Sequence, residues 1–131
     1  MSANLDLVRS IFAEWERGDY SNAEWAYPDI EYVSVDGPEP GIWVGVRGLA
    51  QGWFGWMSVW EDFRVEAEEF CELDEDRVLV LDRSSGRGKT SGLDVERARG
   101  ANLFHLRDGK VTRMRAWFDR DRALADLGLE E

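Results

Sequence analysis

The sequence predicts an α+β fold, and two patterns carry that prediction. Apolar residues recur at helical spacing through much of the first sixty positions, and from Phe63 onward four strand-like segments follow one another with only turns between them. Helices first, then a run of hairpin-connected strands, describes a mostly antiparallel sheet with helices gathered on one side. At 131 residues the chain is expected to form one domain, residues 1–131, large enough for a single core.

The first helix is predicted over residues 3–17, where Leu5, Val8, Phe12 and Trp15 form a stripe flanked by Ile11 and Gly18 closes the run. A short second helix is expected after Ser21, which with Glu24 has capping-box spacing, and Pro28 limits its length. Residues 29–35 alternate as a strand with Ile30, Tyr32 and Ser34 on one side. Residues 36–48 read as a loop. A third helix is expected from Leu49 to Glu61, with Trp53, Trp56, Met57 and Trp60 on one broad face and Gly52 and Gly55 weakening it by about 1 kcal/mol each. Strands are expected at 63–73, 77–85, 94–107 and 111–118. Val78-Leu79-Val80-Leu81 is apolar on both sides, which suits a central strand covered on both faces. Asp108-Gly109 supplies a tight hairpin turn, and Asp119 is placed to start a last helix that ends at Leu127-Gly128.

The charge is −11 overall and unevenly spread: residues 1–82 hold 19 acids and 5 bases, residues 83–131 hold 8 acids and 11 bases. An acidic chain repels a nucleic-acid backbone at long range, so no nucleic-acid partner is expected. The bases of the second half alternate along strands (Arg97, Arg99; Arg113, Arg115) and fit cross-strand pairing with acids such as Glu66, Glu68 and Asp82. Cys71 is the sole cysteine and reads as a small strand residue. With one histidine, one cysteine and dispersed acids, no metal site is expected. Neither a leader segment nor an apolar run of membrane-spanning length stands out, so a cytoplasmic protein with no membrane partner is expected. The link Gly86-Arg87-Gly88-Lys89-Thr90-Ser91-Gly92 lies between strands, where a phosphate-binding loop would precede a helix.

Several of these pieces coincide in one family. The first helix ending in Arg17-Gly18-Asp19, the strand entered at Asp29, the Asp108-Gly109-Lys110-Val111 turn with its aromatic-ended strand, and the segment Asp119 to Gly128 together resemble the NTF2-like superfamily, in particular its SnoaL-like and ketosteroid-isomerase-like branches. That resemblance implies an NTF2-like cone: a strongly curved, mostly antiparallel sheet wrapped around N-terminal helices, with a short C-terminal helix. It implies a homodimer through the outer sheet face, with Trp117 and the alternating arginines contributing. It also implies an apolar pocket for a small hydrophobic, carbonyl-bearing molecule, and chemistry without a cofactor if there is chemistry at all. Against the ketosteroid isomerases, the helix-one tyrosine position falls on Ile11, the base on Ser34 and the oxyanion aspartate on Asn102. Serine and an amide cannot act as a carboxylate base near neutral pH, so the isomerase dyad is not reproduced. Against SnoaL-type polyketide cyclases, Asp119 is the nearest match to the acid/base aspartate.

Two candidate proton carriers follow, Asp119 and Asp82. Asp119 also suits a helix cap. Asp82 and Arg83 end an apolar strand on opposite faces, so one of them is expected to enter the pocket. Alternation from Val78 and Val80 favours Asp82, where a carboxylate in apolar surroundings suits a proton shuttle; an ion pair with a neighbouring-strand arginine such as Arg97 or Arg99 is its alternative role. Tyr32, Ser34, Asn102, Phe104, Met114 and Phe118 are expected to line the pocket with Trp53, Trp56 and Trp60, whose helical spacing equally suits a core. His105 has the opposite parity to Asn102 and Phe104 and is expected on the outer face. The function expected is cofactor-free proton transfer on a small apolar molecule, of polyketide-cyclase or isomerase type, using a carboxylate acid/base. The alternative is a non-catalytic ligand-binding or dimerisation domain of the same fold.

Overall fold

Among the described residues the strand pattern folds into one six-stranded sheet, curved and unclosed, with three helices. The computed structural model describes residues 3–19, 24–36, 41–54, 60–88 and 94–129. Helix α1 spans Ala3–Glu16, followed by β1 (Ala26–Ser34), β2 (Gly41–Val44) and α2 (Gly45–Leu49), which runs on into a π-helical turn at Ala50–Phe54. Then come β3 (Trp60–Asp74), β4 (Arg77–Gly88), β5 (Asp94–Arg107), β6 (Lys110–Trp117) and α3 (Arg120–Asp126). The order across the sheet is β2-β1-β6-β5-β4-β3. Every neighbour is antiparallel except β1 and β6, which run parallel.

Helix α1 buries Val8, Phe12 and Trp15 of the predicted stripe and the flanking Ile11 against the concave side of the sheet, with Leu5 partly buried beside them. Val78, Val80, Phe104, Leu106, Met114, Ile30 and Tyr32 come up to meet it from four strands. Leu79, Leu103, Ala101 and Trp117 point the other way and are covered by Ala123 and Leu124 of α3. Strand β4 is thus covered on both faces, which is why its sequence does not alternate.

Three expectations need correcting. The presumed loop at 36–48 contains β2, a four-residue edge strand whose Trp43 lies opposite Tyr32 of β1. The third helix begins at Gly45 rather than Leu49, and by Trp60 the chain has already entered β3, opposite Gly88. Pro28 lies within β1, which starts at Ala26. The expected short helix at Ser21 and the middle of the third helix, including Trp56 and Met57, fall outside the described residues.

Gly52 explains the tight turn of the helical segment. A Cβ there would come within 2.8 Å of both the Trp43 and the Tyr32 ring, so glycine lets the segment press down on two aromatic side chains. The turn at Asp108-Gly109 has positive φ at both residues (52° and 79°), as a two-residue hairpin turn demands.

Candidate functional site

Strand register arranges the concave face in rows. One row runs Tyr32, Met114, Phe104, Val78 across β1, β6, β5 and β4; the next runs Ser34, Ala116, Asn102, Val80. The first row belongs to an aromatic floor. Phe12 and Trp15 of α1 lie with ring centroids 4.9 Å apart, Trp15 lies 5.3 Å from Trp53, and Tyr32 lies 6.3 Å from Trp53 and 5.6 Å from Trp43. Phe104 meets Phe12 edge-on at 6.0 Å. Such tilted contacts are the favourable aromatic geometry, and they fill this level of the concave side with rings.

The next row brings polar groups into the same face. Ser34 and Asn102 are both buried, separated by the small Ala116. Two residue pairs further along, Asp82 of β4 stands opposite Gly100 of β5, and its side chain reaches Asn102. Asn102 Nδ2 donates to Asp82 Oδ2 at 2.5 Å, and each residue is only 5% exposed. Burial pushes the Asp82 carboxyl up from 3.8 to about 7; the Asn102 hydrogen bond and the Arg120 guanidinium pull against that rise, and Glu68 adds to it. An amide suits both states of such a carboxyl: its NH2 donates to the ionised form, and its oxygen, turned round, accepts from the protonated form. Asn102 Oδ1 is buried with no hydrogen-bond partner among the described residues.

At the other end of the row, the Tyr32 and Ser34 side chains are hydrogen-bonded to each other, and burial drives the Tyr32 hydroxyl well above its ordinary pKa. Tyr32 therefore stays a neutral phenol, able to donate a hydrogen bond but not to serve as a base near neutrality. The two polar pairs, Tyr32–Ser34 and Asp82–Asn102, lie about 10 Å apart, two strand spacings across the sheet.

Asp119 sits elsewhere. It is exposed and takes the N-cap of α3, its Oδ1 accepting from the backbone N–H groups of Asp121 (3.0 Å) and Arg122 (3.4 Å). Asp36 holds the approach to that cap by accepting from the backbone N–H of Phe118 at 2.6 Å and of Asp119 at 3.2 Å. Phe118 is half-buried just past β6. Phe104 and Met114 are completely buried in the aromatic floor, and Trp53 is there with them. Trp60 opens β3 and Trp56 lies outside the described residues. The structure thus gathers Tyr32, Ser34, Trp53, Asp82, Asn102, Phe104 and Met114 on the concave face and leaves Asp119 at the start of α3.

Two residues not singled out by the sequence reading bear on Asp82. Arg120, at the first position of α3, turns its buried guanidinium back to the sheet, where Nη2 donates to the Asp82 carbonyl (2.7 Å) and to Glu68 Oε1 (2.5 Å), and Nε to the Gly100 carbonyl (3.3 Å). Gly100 is the other: a Cβ there would sit 2.5 Å from the Trp117 carbonyl oxygen and 3.3 Å from Asp82 Oδ1. A glycine inside a strand signals such a close approach, and that was the available clue.

The convex face carries the remaining features. His105 points there, half-buried beside Glu31, Thr112 and Arg113; burial and the charges of Arg113, Arg115 and Arg77 hold it below its usual pKa. Arg113 pairs across strands with Glu31 at 2.7 Å, and Glu66 is paired by Arg83 at 3.5 Å, so the cross-strand pairs form with other partners than the alternation suggested. Trp117, expected to face a dimer partner, is instead covered by α3: its Nε1 donates to Asp126 Oδ2 at 3.0 Å, and Arg115 lies over the ring at 4.8 Å. Beside α3 a groove of about 840 Å³ runs over Cys71, Leu79 and Leu81. Among the described residues, no group of three His, Cys, Asp or Glu side chains is placed to hold a metal ion, and no helix is long and apolar enough to cross a membrane.

The α+β architecture, the parallel β1–β6 pairing and α1 packed on the concave side define an NTF2-like fold. A structure of an NTF2-like protein from Burkholderia thailandensis is similar over the whole of both chains, with a TM-score of 0.79 at 19% identity. The crystal structure of TerC co-crystallised with polyporic acid is 25% identical, with a TM-score of 0.75 over 96% of this chain and 98% of that one. A protein from a Jannaschia species, provisionally assigned as a SnoaL-like polyketide cyclase, is 20% identical with a TM-score of 0.69, over 87% of this chain and 83% of that one. Among curated proteins none matches the chain significantly. Residues 8–114 match the model of the SnoaL-like domain, and the chain belongs to that family.

Proposed function

We propose that the concave face binds a small, largely apolar molecule bearing a carbonyl group, and that Asp82 moves a proton on it without a cofactor. One observation carries this reading: a carboxyl 5% exposed on the concave face, held by an amide and poised near pH 7. A general acid/base works best with a pKa near the working pH, so that it both accepts and returns the proton. Asn102 orients the carboxyl, and its free Oδ1 is available to a donor on the ligand. The Tyr32 hydroxyl is the neutral donor suited to a carbonyl oxygen on which charge develops. The likeness to TerC, crystallised with polyporic acid, supports a small-molecule ligand for this fold.

A second reading, binding without turnover, draws on the aromatic floor, where Trp15, Trp53 and Tyr32 already occupy one another's faces. A bicyclic ketone such as 2-tetralone separates the two. In D2O the unaltered protein is expected to accelerate exchange of the ketone's α-hydrogens, followed by NMR, and Asp82→Asn to lose about 10²-fold or more of that acceleration. Quenching of tryptophan fluorescence with no exchange would favour binding alone. Equal exchange by Asp82→Asn and the unaltered chain would remove Asp82 from the role.

A further inference from the structure

Strand β3 is irregular opposite Asp82. Its register with β4 slips between Ala67 and Glu69, so that Glu68 is the extra residue of a bulge facing Asp82. A bulge interrupts the ladder, and two backbone groups beside this one find side chains instead. The Ala67 N–H donates to Glu16 Oε2 of α1 at 2.9 Å, and the Asp82 carbonyl accepts from Arg120 at 2.7 Å. On the other flank, the β5–β6 register ends at Ala101 opposite Trp117, and the next carbonyl, that of Gly100, also accepts from Arg120. The guanidinium is therefore fixed to both strands at the Asp82–Gly100 pair, while its third contact, Glu68, comes from the bulge itself.

We propose that Arg120 is a positioning residue for Asp82: from the first turn of α3 it clamps the backbone on which the Asp82 carboxyl is mounted, with Glu68 as its counter-charge. The proposal rests on the reading of Asp82 given above. Three features of the geometry support it. The clamp joins β4 and β5 at the one pair where glycine removes the side chain beside Asp82 Oδ1. The arginine is held by one carboxylate, which matches its charge, and by two neutral carbonyls, which fix its planar donors to the backbone of β4 and β5. Its place in the chain follows the cap made by Asp119 and Asp36, so the cap of α3 sets where the guanidinium starts. Among the described residues, the charged groups acting on Asp82 are Glu68 from β3 and Arg120 from α3, and β5 contributes the neutral Asn102. The two charges act in opposite senses, Arg120 favouring the carboxylate and Glu68 the carboxylic acid.

Opposed signs make the test specific. In the full-length chain labelled with 13C at aspartate carboxyls, the Asp82 resonance is followed against pH. Glu68→Gln is expected to move its midpoint downward and Arg120→Met upward, each on the order of half a unit. Arg120→Lys, which keeps the charge but has no planar fork to span both carbonyls, is expected to fall between Arg120→Met and the unaltered chain. A generally loosened structure would let water in and move every variant downward, so the opposite directions report the positioning role. If Arg120→Met does not fold, Arg120→Lys still decides, because its midpoint is expected to rise whereas a loosened structure would lower it. An Asp82 midpoint unmoved by Glu68→Gln, or moved the same way in both variants, overturns the proposal. A midpoint in the unaltered chain near the ordinary aspartate value instead removes the functional reading of Asp82, whatever the variants do.

Discussion

Asp82 lies within the sheet and Asp119 just beyond its strand β6, and the two meet opposite surroundings. Asp82 lies midway along β4 on the concave face, buried and given one amide donor. Asp119 lies two residues past β6, in solvent, accepting backbone N–H groups of the helix it starts. A carboxyl stripped of water and given little in return keeps its proton to a higher pH, whereas one placed at a helix start spends its oxygens on orphan N–H groups. The family resemblance alone points to Asp119; the surroundings point to Asp82. Arg120, next to the cap, ties the two regions together.

The largest expected consequence concerns stability against pH. The folded chain holds the Asp82 proton to about pH 7, whereas an unfolded aspartate releases it near 3.8. Between those values the folded state binds more protons, so this group's contribution to stability is complete below about pH 4 and declines as pH rises to about 7. Asp82→Asn has no such decline. Relative to the unaltered chain it is expected to gain up to roughly 3–4 kcal/mol between pH 4 and pH 8, measured by urea unfolding at both. Parallel stability curves for the two chains would mean that Asp82 ionises as readily folded as unfolded.

Smaller effects are expected at Asp119. Its replacement by alanine should cost about 1 kcal/mol through loss of the cap, and Asp119→Asn, which keeps a capping oxygen, much less. Both should retain any proton-transfer activity that Asp82→Asn loses. A large activity loss in Asp119→Asn with unchanged melting would reverse the assignment of the two aspartates.

Much of this was visible in the sequence, for identifiable reasons. The stripe of α1 and the alternation of Ile30, Tyr32 and Ser34 report one-sided burial directly, and unbroken register through Val78, Val80 and Asp82 put Asp82 on the concave face. Strand β2 was hidden because Gly41-Ile42-Trp43-Val44 is short, follows two prolines and leaves Ile42 and Val44 exposed at a sheet edge. The switch from helix to strand before Trp60 was hidden because tryptophans at three- and four-residue spacing look helical whichever element holds the last one. Arg120 was illegible for a different reason. Its role depends on a bulge at Glu68 and on where β6 stops pairing with β5, both consequences of three-dimensional register that leave no local mark.

The most direct measurement is the protonation of Asp82 itself in the unaltered chain. Carboxyl 13C chemical shifts recorded from pH 3 to pH 9 should show one aspartate, identified by its loss in Asp82→Asn, titrating near pH 7. If instead every aspartate has titrated by about pH 5, the concave face holds an ordinary carboxylate and the proton-transfer role fails.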